Sequence, residues 1–467
     1  MRDPIKFGTD GWRAVIGREY TFANLERVAQ AYAGHLLQTN PLPSVVVGYD
    51  RRFLSEVFAS RAADVLAGNG ARVSLFNEAV PTPLISWAVK ELQAAGGVVI
   101  TASHNPYDFN GFKIKAPWGG SAAPETTRAV EELVDAQPAK RAQASVEPDT
   151  DGLASAVESY RKQIAAYVDL ERLRAASGTV IVDPMHGSGG NWVEGFLTGG
   201  SLRVETIRGY RDPLFGGVNP EPIDSNLEAL KNRVGETNAI VGLATDGDAD
   251  RVGAVNERGE TMNMHQVVPL VLLHLVRERK MTGGIVRTFS QSVLLKRIAS
   301  AFSLPIHETP IGFKYIADLM LKEDILIGAE ESGGIGVKGH IPERDGILNS
   351  LLFLEAVATA GVSPSKMLAA LYQEFGEFHF GRKDLRVQPE PGQQLVETLA
   401  HNPPTQLGDY AVTGVETMDG TKLLFEDESW LLFRQSGTEP VLRIYAEATT
   451  VEKTQVLLSA GANLAGV

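Results

Sequence analysis

The chain has no cysteine among its 467 residues. That excludes disulfides, thiolate metal sites and cysteine nucleophiles, and it suits a reducing compartment. Positive charge is also scarce. Forty-four Lys and Arg stand against 57 Asp and Glu, a formal charge of −13. Such a balance argues against a nucleic-acid partner and against an anionic membrane surface. A local basic pocket could still bind phosphate. Long hydrophobic runs are missing as well. The longest apolar stretch, Val267 to Val276, contains Pro269 and His274 and is too short to span a bilayer, so a core helix is expected there. The opening Met1–Lys6 carries no apolar run of the secretion-signal kind. A cytoplasmic location is the expectation. No P-loop lysine motif and no strict short-period repeat occur.

What is present is a regular alternation. Ser44–Tyr49 reads as a strand, Ser55–Ala67 as a helix, Arg72–Phe76 as a strand and Thr82–Gln93 as a helix. Alternation of this kind predicts βαβ units and largely parallel sheets. It restarts at Thr179–Asp183, after a charged helix over Ser159–Ala175, and again at Gly284–Thr288. Ala136–Asp151, rich in Pro, Ala and charge, reads as a surface linker. After Gly381 short strands and one terminal helix, Val451–Ala460, suggest a smaller domain. The length calls for three or four domains. The expected fold is therefore three α/β domains with mixed, largely parallel sheets, over 1–150, 151–258 and 259–380, and an α+β domain over 381–467.

Two segments carry the chemistry. Thr101-Ala102-Ser103-His104-Asn105-Pro106 follows the apolar run Gly97–Ile100. It presents a hydroxyl and a histidine at a strand exit, where binding and catalytic groups concentrate. Alone it reads equally well as an ordinary strand-to-loop turn. Thr245-Asp246-Gly247-Asp248-Ala249-Asp250-Arg251 places three carboxylates at alternate positions. Their repulsion has to be offset by a cation or by water. Hard divalent cations favour such oxygen donors. An EF-hand is excluded, because its sixth position needs glycine and holds Arg251, and because Ala239–Leu243 and Val252–Val255 read as strands. A phosphatase using the first Asp of a short Asp-x-Asp motif fits the local letters but leaves Ser103 and His104 without a role.

Three further segments stand out. They are Lys6-Phe7-Gly8-Thr9-Asp10-Gly11-Trp12-Arg13, Gly328-Ala329-Glu330-Glu331-Ser332-Gly333-Gly334 and Arg434-Gln435-Ser436-Gly437-Thr438-Glu439-Pro440. Together with the serine and aspartate segments, in this order, they resemble the alpha-D-phosphohexomutase family, the phosphoglucomutases and phosphomannomutases. A G-x-G-x-x-G string over Gly334–Gly339 is discounted as a nucleotide fingerprint, because Pro342 and Asp345-Gly346 follow and no helix is expected next.

The resemblance implies four domains around a central cleft and a defined site. Ser103 would carry the phosphoryl group as phosphoserine. Magnesium (Mg2+) would be held by Asp246, Asp248, Asp250 and an oxygen on Ser103. Arg13 and Arg251 would stabilise transferring charge, Arg251 being equally readable as an ion-pair partner of the aspartates. His104 and Lys113 are the candidate proton carriers, His104 alternatively only orienting the loop. Glu330 and Ser332 would bind sugar hydroxyls, with Lys314 and His340 also at the substrate. Arg434, Ser436, Gly437 and Thr438 form a turn of donors suited to the phosphate that is not transferred, with Arg443 in support, or else a plain structural turn. The family's partners are small-molecule sugar phosphates, with a hexose 1,6-bisphosphate as intermediate and activator. A monomer or weak dimer is expected.

Within the family, Thr309–Lys314 and Glu330-Glu331-Ser332 lean toward phosphoglucomutase, with mannose phosphates as further substrates. Phosphoglucosamine mutases usually have Gln where Glu331 stands and a different residue where Ala249 stands. Rivals are a phosphomannomutase or phosphoglucosamine mutase, a glucose 1,6-bisphosphate synthase and a non-catalytic sugar-phosphate sensor.

Overall fold

The computed structural model describes residues 4–8, 11–437 and 440–466. These fall into two compact units, Met1–Met262 with Ser332–Ser365, and Asn263–Glu331 with Lys366–Val467.

The first unit contains two five-stranded mixed sheets of the same design. In one, strand Ser44–Tyr49 lies parallel to Arg72–Leu75 on one side and to Gly96–Ile100 on the other. Phe109–Lys115 then pairs antiparallel with Gly96–Ile100, and Gly11–Val15 antiparallel with Phe109–Lys115. In the other, Thr179–Asp183 lies parallel to Arg203–Thr206 and to Val241–Thr245. Val252–Asn256 pairs antiparallel with Val241–Thr245, and Thr261–Met262 closes the edge. Parallel strands covered on both faces read as continuous apolar runs. Val45–Val47 and Val98–Ile100 are such runs, and all six residues are buried.

This shared design places the two chemical loops in equivalent positions. The serine segment leaves strand Gly96–Ile100 and returns as Phe109–Lys115. The aspartate segment leaves Val241–Thr245 and returns as Val252–Asn256. Each sits at the carboxyl end of a strand that has a parallel neighbour on one side and an antiparallel neighbour on the other.

The second unit repeats the parallel part. Gly284–Thr288 lies between Ile306–Thr309 and Ile325–Ala329, both parallel to it. Glu330 follows the last of these strands. The remaining sheet is antiparallel, in the order His379–Arg386, Val441–Ala448, Trp430–Gln435, Thr421–Phe425, Tyr410–Glu416 and Gln406–Leu407. Helices Val451–Leu464 and Pro389–His401 pack on it. The apolar stretch near 270 is a buried helix, Met264–Leu273. Among the described residues no single helix is long and apolar enough to cross a membrane.

Several elements differ from expectation. The charged helix expected over Ser159–Ala175 is two helices, Thr150–Tyr167 and Leu170–Ala175. Val168 is extended, and the Asp169 side chain accepts from the Arg172 N–H at 3.0 Å to cap the second helix. The C-terminal region holds a second helix beyond the one expected, Pro389–His401. Its opening Pro389-Glu390-Pro391-Gly392 resembles a turn, yet proline is tolerated in a first helical turn because its missing N–H has no helical partner there. The glycine string Gly334–Gly339 itself contains strand Ile335–Val337, which removes it from the strand–turn–helix context of a nucleotide site. A helix does follow, Gly346–Ala360, capped by Asp345.

One buried carboxylate ties the second unit together. Glu447, fully buried on strand Val441–Ala448, accepts from the Val293 N–H at 2.9 Å and from Trp430 Nε1 at 3.0 Å, and meets His265 Nδ1 at 2.9 Å. Burial opposes its charge. His265 and the donors from Ser292 and Val293 outweigh burial and hold the carboxyl at about 2, below its ordinary 4.5. A lowered acid contributes stability that is fully present above pH 4.5 and is lost as pH falls through about 2. Glu447→Gln is expected to cost about 3 kcal/mol at neutral pH. In acid titrations followed by circular dichroism, the variant should lose less stability than the parent over that range.

Candidate active site

The serine loop is built on a strained residue. Ser103 has φ +53°, a left-handed backbone unusual for a serine. Its Oγ donates to Asp246 Oδ2 at 2.8 Å and lies 3.4 Å from His104 Nδ1. Both Ser103 and Asp246 are buried. The sequence segments that carry the chemistry, 143 residues apart, therefore meet at one hydrogen bond.

The three aspartates converge. Asp246, Asp248 and Asp250 each offer a carboxylate oxygen within 4.8 Å of the others, and all are buried. Gly247 is required between them. A Cβ there would stand 2.4 Å from the Ser103 carbonyl oxygen, so only glycine lets the two loops approach this closely. Asp246 Oδ1 accepts from the N–H groups of Asp250 and Arg251 at 3.0 and 3.1 Å. Asp248 Oδ2 accepts from Thr82 Oγ1 at 2.8 Å. Asp250 Oδ2 accepts from Lys113 Nζ at 2.9 Å and pairs with Arg344 at 3.0 Å.

Part of the offset expected for three carboxylates comes from the chain's own cations. Lys113 and Arg344 share one oxygen of Asp250, and Arg251 Nε lies 3.9 Å from the other. Burial raises the Asp250 carboxyl, but Arg344, Lys113 and Arg251 outweigh it and hold the group below the usual range. Asp246 is different. Burial first, then Asp248 and Asp250, push its carboxyl well above the ordinary value, with Arg251 and the Ser103 hydroxyl opposing. Asp248 Oδ1 and Asp250 Oδ1 are buried without a hydrogen-bond partner. An all-oxygen donor set with orphaned buried carboxylate oxygens fits a hard divalent cation such as magnesium. Asp246, Asp248 and Asp250 are the residues that would hold it.

His104 sits among cations. Burial lowers its pKa first, and Arg251, Arg13 and Arg52 lower it further against Asp250. The ring is therefore neutral at pH 7. Arg13 donates to Asn105 Oδ1 at 2.8 Å, which puts it on the serine loop. Ser332 belongs to the same unit, in the turn where Gly333 accepts from the Val252 N–H at 3.1 Å. His340 has other partners. Its Nε2 meets Asp345 Oδ2 at 2.9 Å and its ring stacks on Trp87. Tyr160 donates to the same Asp345 oxygen.

The second unit holds the rest. Glu330 is buried at the end of strand Ile325–Ala329. Its neighbour Glu331 accepts from Ser290 Oγ at 2.6 Å and is felt by Arg382 and Arg434. Arg434 pairs with Asp419 at 3.0 Å. The Ser436 N–H donates to the Val441 carbonyl at 2.9 Å, and Gly437 is exposed with open space around it. Lys314 lies over the Tyr315 ring at 5.0 Å. Thr438 lies outside the described residues.

Sequence reasoning missed several buried partners. Arg344 and Thr82 contact the aspartates directly. Lys115 and Glu343 pair at 2.8 Å, both fully buried, behind Lys113 and Arg344. Arg52 and Asp50 hold the serine loop from beneath. The available signal was Asp50-Arg51-Arg52, three charged residues directly after an apolar strand. Such a run is normally read as a solvated strand exit.

Comparison with known proteins agrees along the chain. Models of the phosphoglucomutase/phosphomannomutase alpha/beta/alpha domains I, II and III match residues 4–141, 158–259 and 263–375, and the C-terminal domain model of the same family matches 393–460. A phosphoglucomutase/phosphomannomutase from Thermococcus kodakarensis is 31% identical over 460 residues, 98% of each chain. A phosphoglucosamine/phosphogalactosamine mutase from Sulfurisphaera tokodaii is 30% identical over 446 residues, 95% of each. A solved structure from Thermus thermophilus, provisionally called a phosphomannomutase, is 40% identical with a TM-score of 0.89, covering 100% of both chains.

Removing one charge from the triad separates metal binding from folding. Millimolar magnesium is expected to raise the melting temperature of the protein, by about 2.7 kcal/mol of stabilisation at a hundredfold excess over Kd. Asp248→Asn should abolish that response. The metal-free variant should melt at or above the metal-free parent, because like-charge repulsion is relieved.

Proposed function

Because the chain belongs to the phosphoglucomutase/phosphomannomutase family, within the alpha-D-phosphohexomutase superfamily, we propose that it interconverts hexose 1-phosphates and 6-phosphates through Ser103, with glucose and mannose phosphates as substrates. The family's members are isomerases that act as intramolecular phosphotransferases, and this chain is an enzyme of that class. The observation that carries the specific reading is the Ser103 hydroxyl, buried and 2.8 Å from a carboxylate of the aspartate triad.

A phosphoryl group released to water would be lost, so a mutase needs a covalent resting place. In the proposed reaction the bond from phosphorus to Ser103 Oγ breaks as a bond to the free hydroxyl of a bound sugar monophosphate forms. The product of this half is a hexose 1,6-bisphosphate. The second half returns the other phosphoryl group to Ser103. Magnesium, held by Asp246, Asp248, Asp250 and a phosphoserine oxygen, would supply charge screening and polarise the phosphoryl group.

The chain's own residues divide the remaining work. Neutral His104, whose Nδ1 lies 3.4 Å from Ser103 Oγ, accepts the proton of the attacking hydroxyl and passes it to the departing Ser103 oxygen, and the second half runs the same transfer in reverse. Lys113 suits proton transfer less well, since its ammonium is paired with Asp250. Arg13 and Arg251 supply positive charge beside the transferring group. Glu330 and Ser332 bind sugar hydroxyls, with Lys314 at the same substrate. Arg434, Ser436, Gly437 and Thr438 receive the phosphate that is not moving. Asp419, paired with Arg434 Nε at 3.0 Å, supports it in that role by orienting the guanidinium. His340 is proposed to act on the aspartate triad indirectly, by fixing Asp345 and the turn that carries Arg344, which pairs with Asp250.

A second reading is a phosphoglucosamine mutase, favoured by the Sulfurisphaera relative. Glu331 favours the neutral sugars instead, because its carboxylate is engaged by Ser290 and faces Arg382 and Arg434.

Phosphorus NMR tests the proposal. Protein with magnesium and a trace of glucose 1,6-bisphosphate is given glucose 1-phosphate, mannose 1-phosphate and glucosamine 1-phosphate together. The 6-phosphates of glucose and mannose are expected to appear first. Glucosamine 6-phosphate alone would establish the second reading. Absence of any 6-phosphate from folded, magnesium-loaded protein would contradict mutase activity, and accumulating bisphosphate would point to a synthase. Ser103→Ala should abolish turnover, whereas a sensor would keep its ligand affinity and show no turnover to lose.

A further inference from the structure

The left-handed backbone of Ser103 persists only if its surroundings over-determine it. One buried ion pair does this from both sides of the residue. The Ser103 N–H donates to Thr101 Oγ1 at 2.8 Å, and Thr101 Oγ1 donates to Asp50 Oδ2 at 2.6 Å. The Ser103 carbonyl accepts from Arg52 Nη2 at 2.6 Å. The same Nη2 donates to the Asn105 carbonyl at 2.6 Å, while Nη1 donates to those of Pro106 and Phe109 at 2.7 and 3.1 Å. Arg52 Nε lies 3.2 Å from Asp50 Oδ2. Asp50 Oδ1 is fixed in turn by the Arg52 N–H at 3.0 Å and Ser55 Oγ at 2.9 Å. Arg52 and Asp50 are both fully buried, and the Arg52 guanidinium lies over the Phe215 ring at 4.9 Å.

Closing a loop does not by itself require a buried arginine, whose desolvation is costly. A guanidinium is a rigid planar fork, and here it spans four carbonyls of one short loop. On the reading of Ser103 as the phosphoryl carrier, on which this inference rests, the loop gains and loses roughly 1.5–2 negative charges in every cycle. A soft loop would recoil from the aspartates each time. Gly247 leaves no space on the other side of the Ser103 carbonyl. We infer that Arg52, braced by Asp50 and linked through Thr101, is a positioning residue that holds the Ser103 hydroxyl in line for phosphoryl transfer without touching the reacting atoms.

The test uses the full chain and hexose 1-phosphate turnover, with circular dichroism melts alongside. Arg52→Lys keeps the charge and loses the fork. Its kcat is expected to fall about 100-fold, the cost of misplacing a reacting group by about 1 Å. KM should stay within about threefold, because substrate contacts are untouched. Methylguanidinium should restore part of the kcat of a folded Arg52→Ala at unchanged KM and unchanged melting temperature, a split that a purely structural role would not show. Thr101→Val, which cuts the link at its other end, should also lower kcat at constant KM. A folded Arg52→Lys protein with parental kcat would overturn the inference. If the Arg52 variants do not fold, parental kcat in Thr101→Val overturns it. Absence of turnover in the wild-type protein would instead defeat the mutase reading and this inference with it.

Discussion

The structure depends on placing a hydroxyl against buried negative charge. Ser103 Oγ and Asp246 Oδ2 meet at 2.8 Å in a region where three carboxylates lie within reach of one cation. Neither loop could hold this arrangement alone. The aspartate loop would open under its own repulsion, and the serine loop would relax from a left-handed backbone. Each is restrained by groups outside it. Lys113 and Arg344 neutralise Asp250, Thr82 holds Asp248, and the Asp50–Arg52 pair holds Ser103. The second layer of charges, Lys115 with Glu343, keeps the first layer in place.

The sheets explain why the loops can meet. The serine and aspartate segments leave corresponding strands of two sheets with the same order, and Glu330 leaves the corresponding strand of the third parallel set. An open sheet gathers ligand-binding loops at the carboxyl ends of its strands. Repeating one design places a different loop at the same point of each copy, a hydroxyl and a histidine on one, three carboxylates on the second and Glu330 on the third. The antiparallel C-terminal sheet departs from this plan, with Ser436 and Gly437 following the strand Trp430–Gln435.

Much of this was legible in the letters. Period and turn residues gave most strands of the α/β regions, and alternate aspartates pointed to a cluster of carboxylates that could hold a cation, because those signals are local. The break at Val168 was not legible, since Tyr167-Val168-Asp169 carries no glycine or proline and the interruption depends on the Asp169 cap. The common design of the sheets was also hidden, because it repeats in topology and not in sequence. Arg52, Asp50 and Arg344 escaped for a related reason. A charged residue at a strand exit or just before a helix is ordinarily exposed, and only the tertiary structure shows that these three are buried. The sequence points His340 toward substrate, and the contacts that orient its ring, with Asp345, Trp87 and Tyr160, were not legible because Trp87 and Tyr160 come from distant segments.

The account turns on Ser103 as the covalent carrier, and mapping the phosphoryl group tests this most directly. The magnesium-loaded protein is exposed to glucose 1,6-bisphosphate, and intact-mass and peptide analysis follow before and after a chase with glucose 1-phosphate. The account predicts one phosphoryl group, on Ser103, discharged by the chase as bisphosphate forms. Sugar phosphate turnover without phosphorylation of Ser103, or with a stable phosphoryl group on another residue, would contradict it.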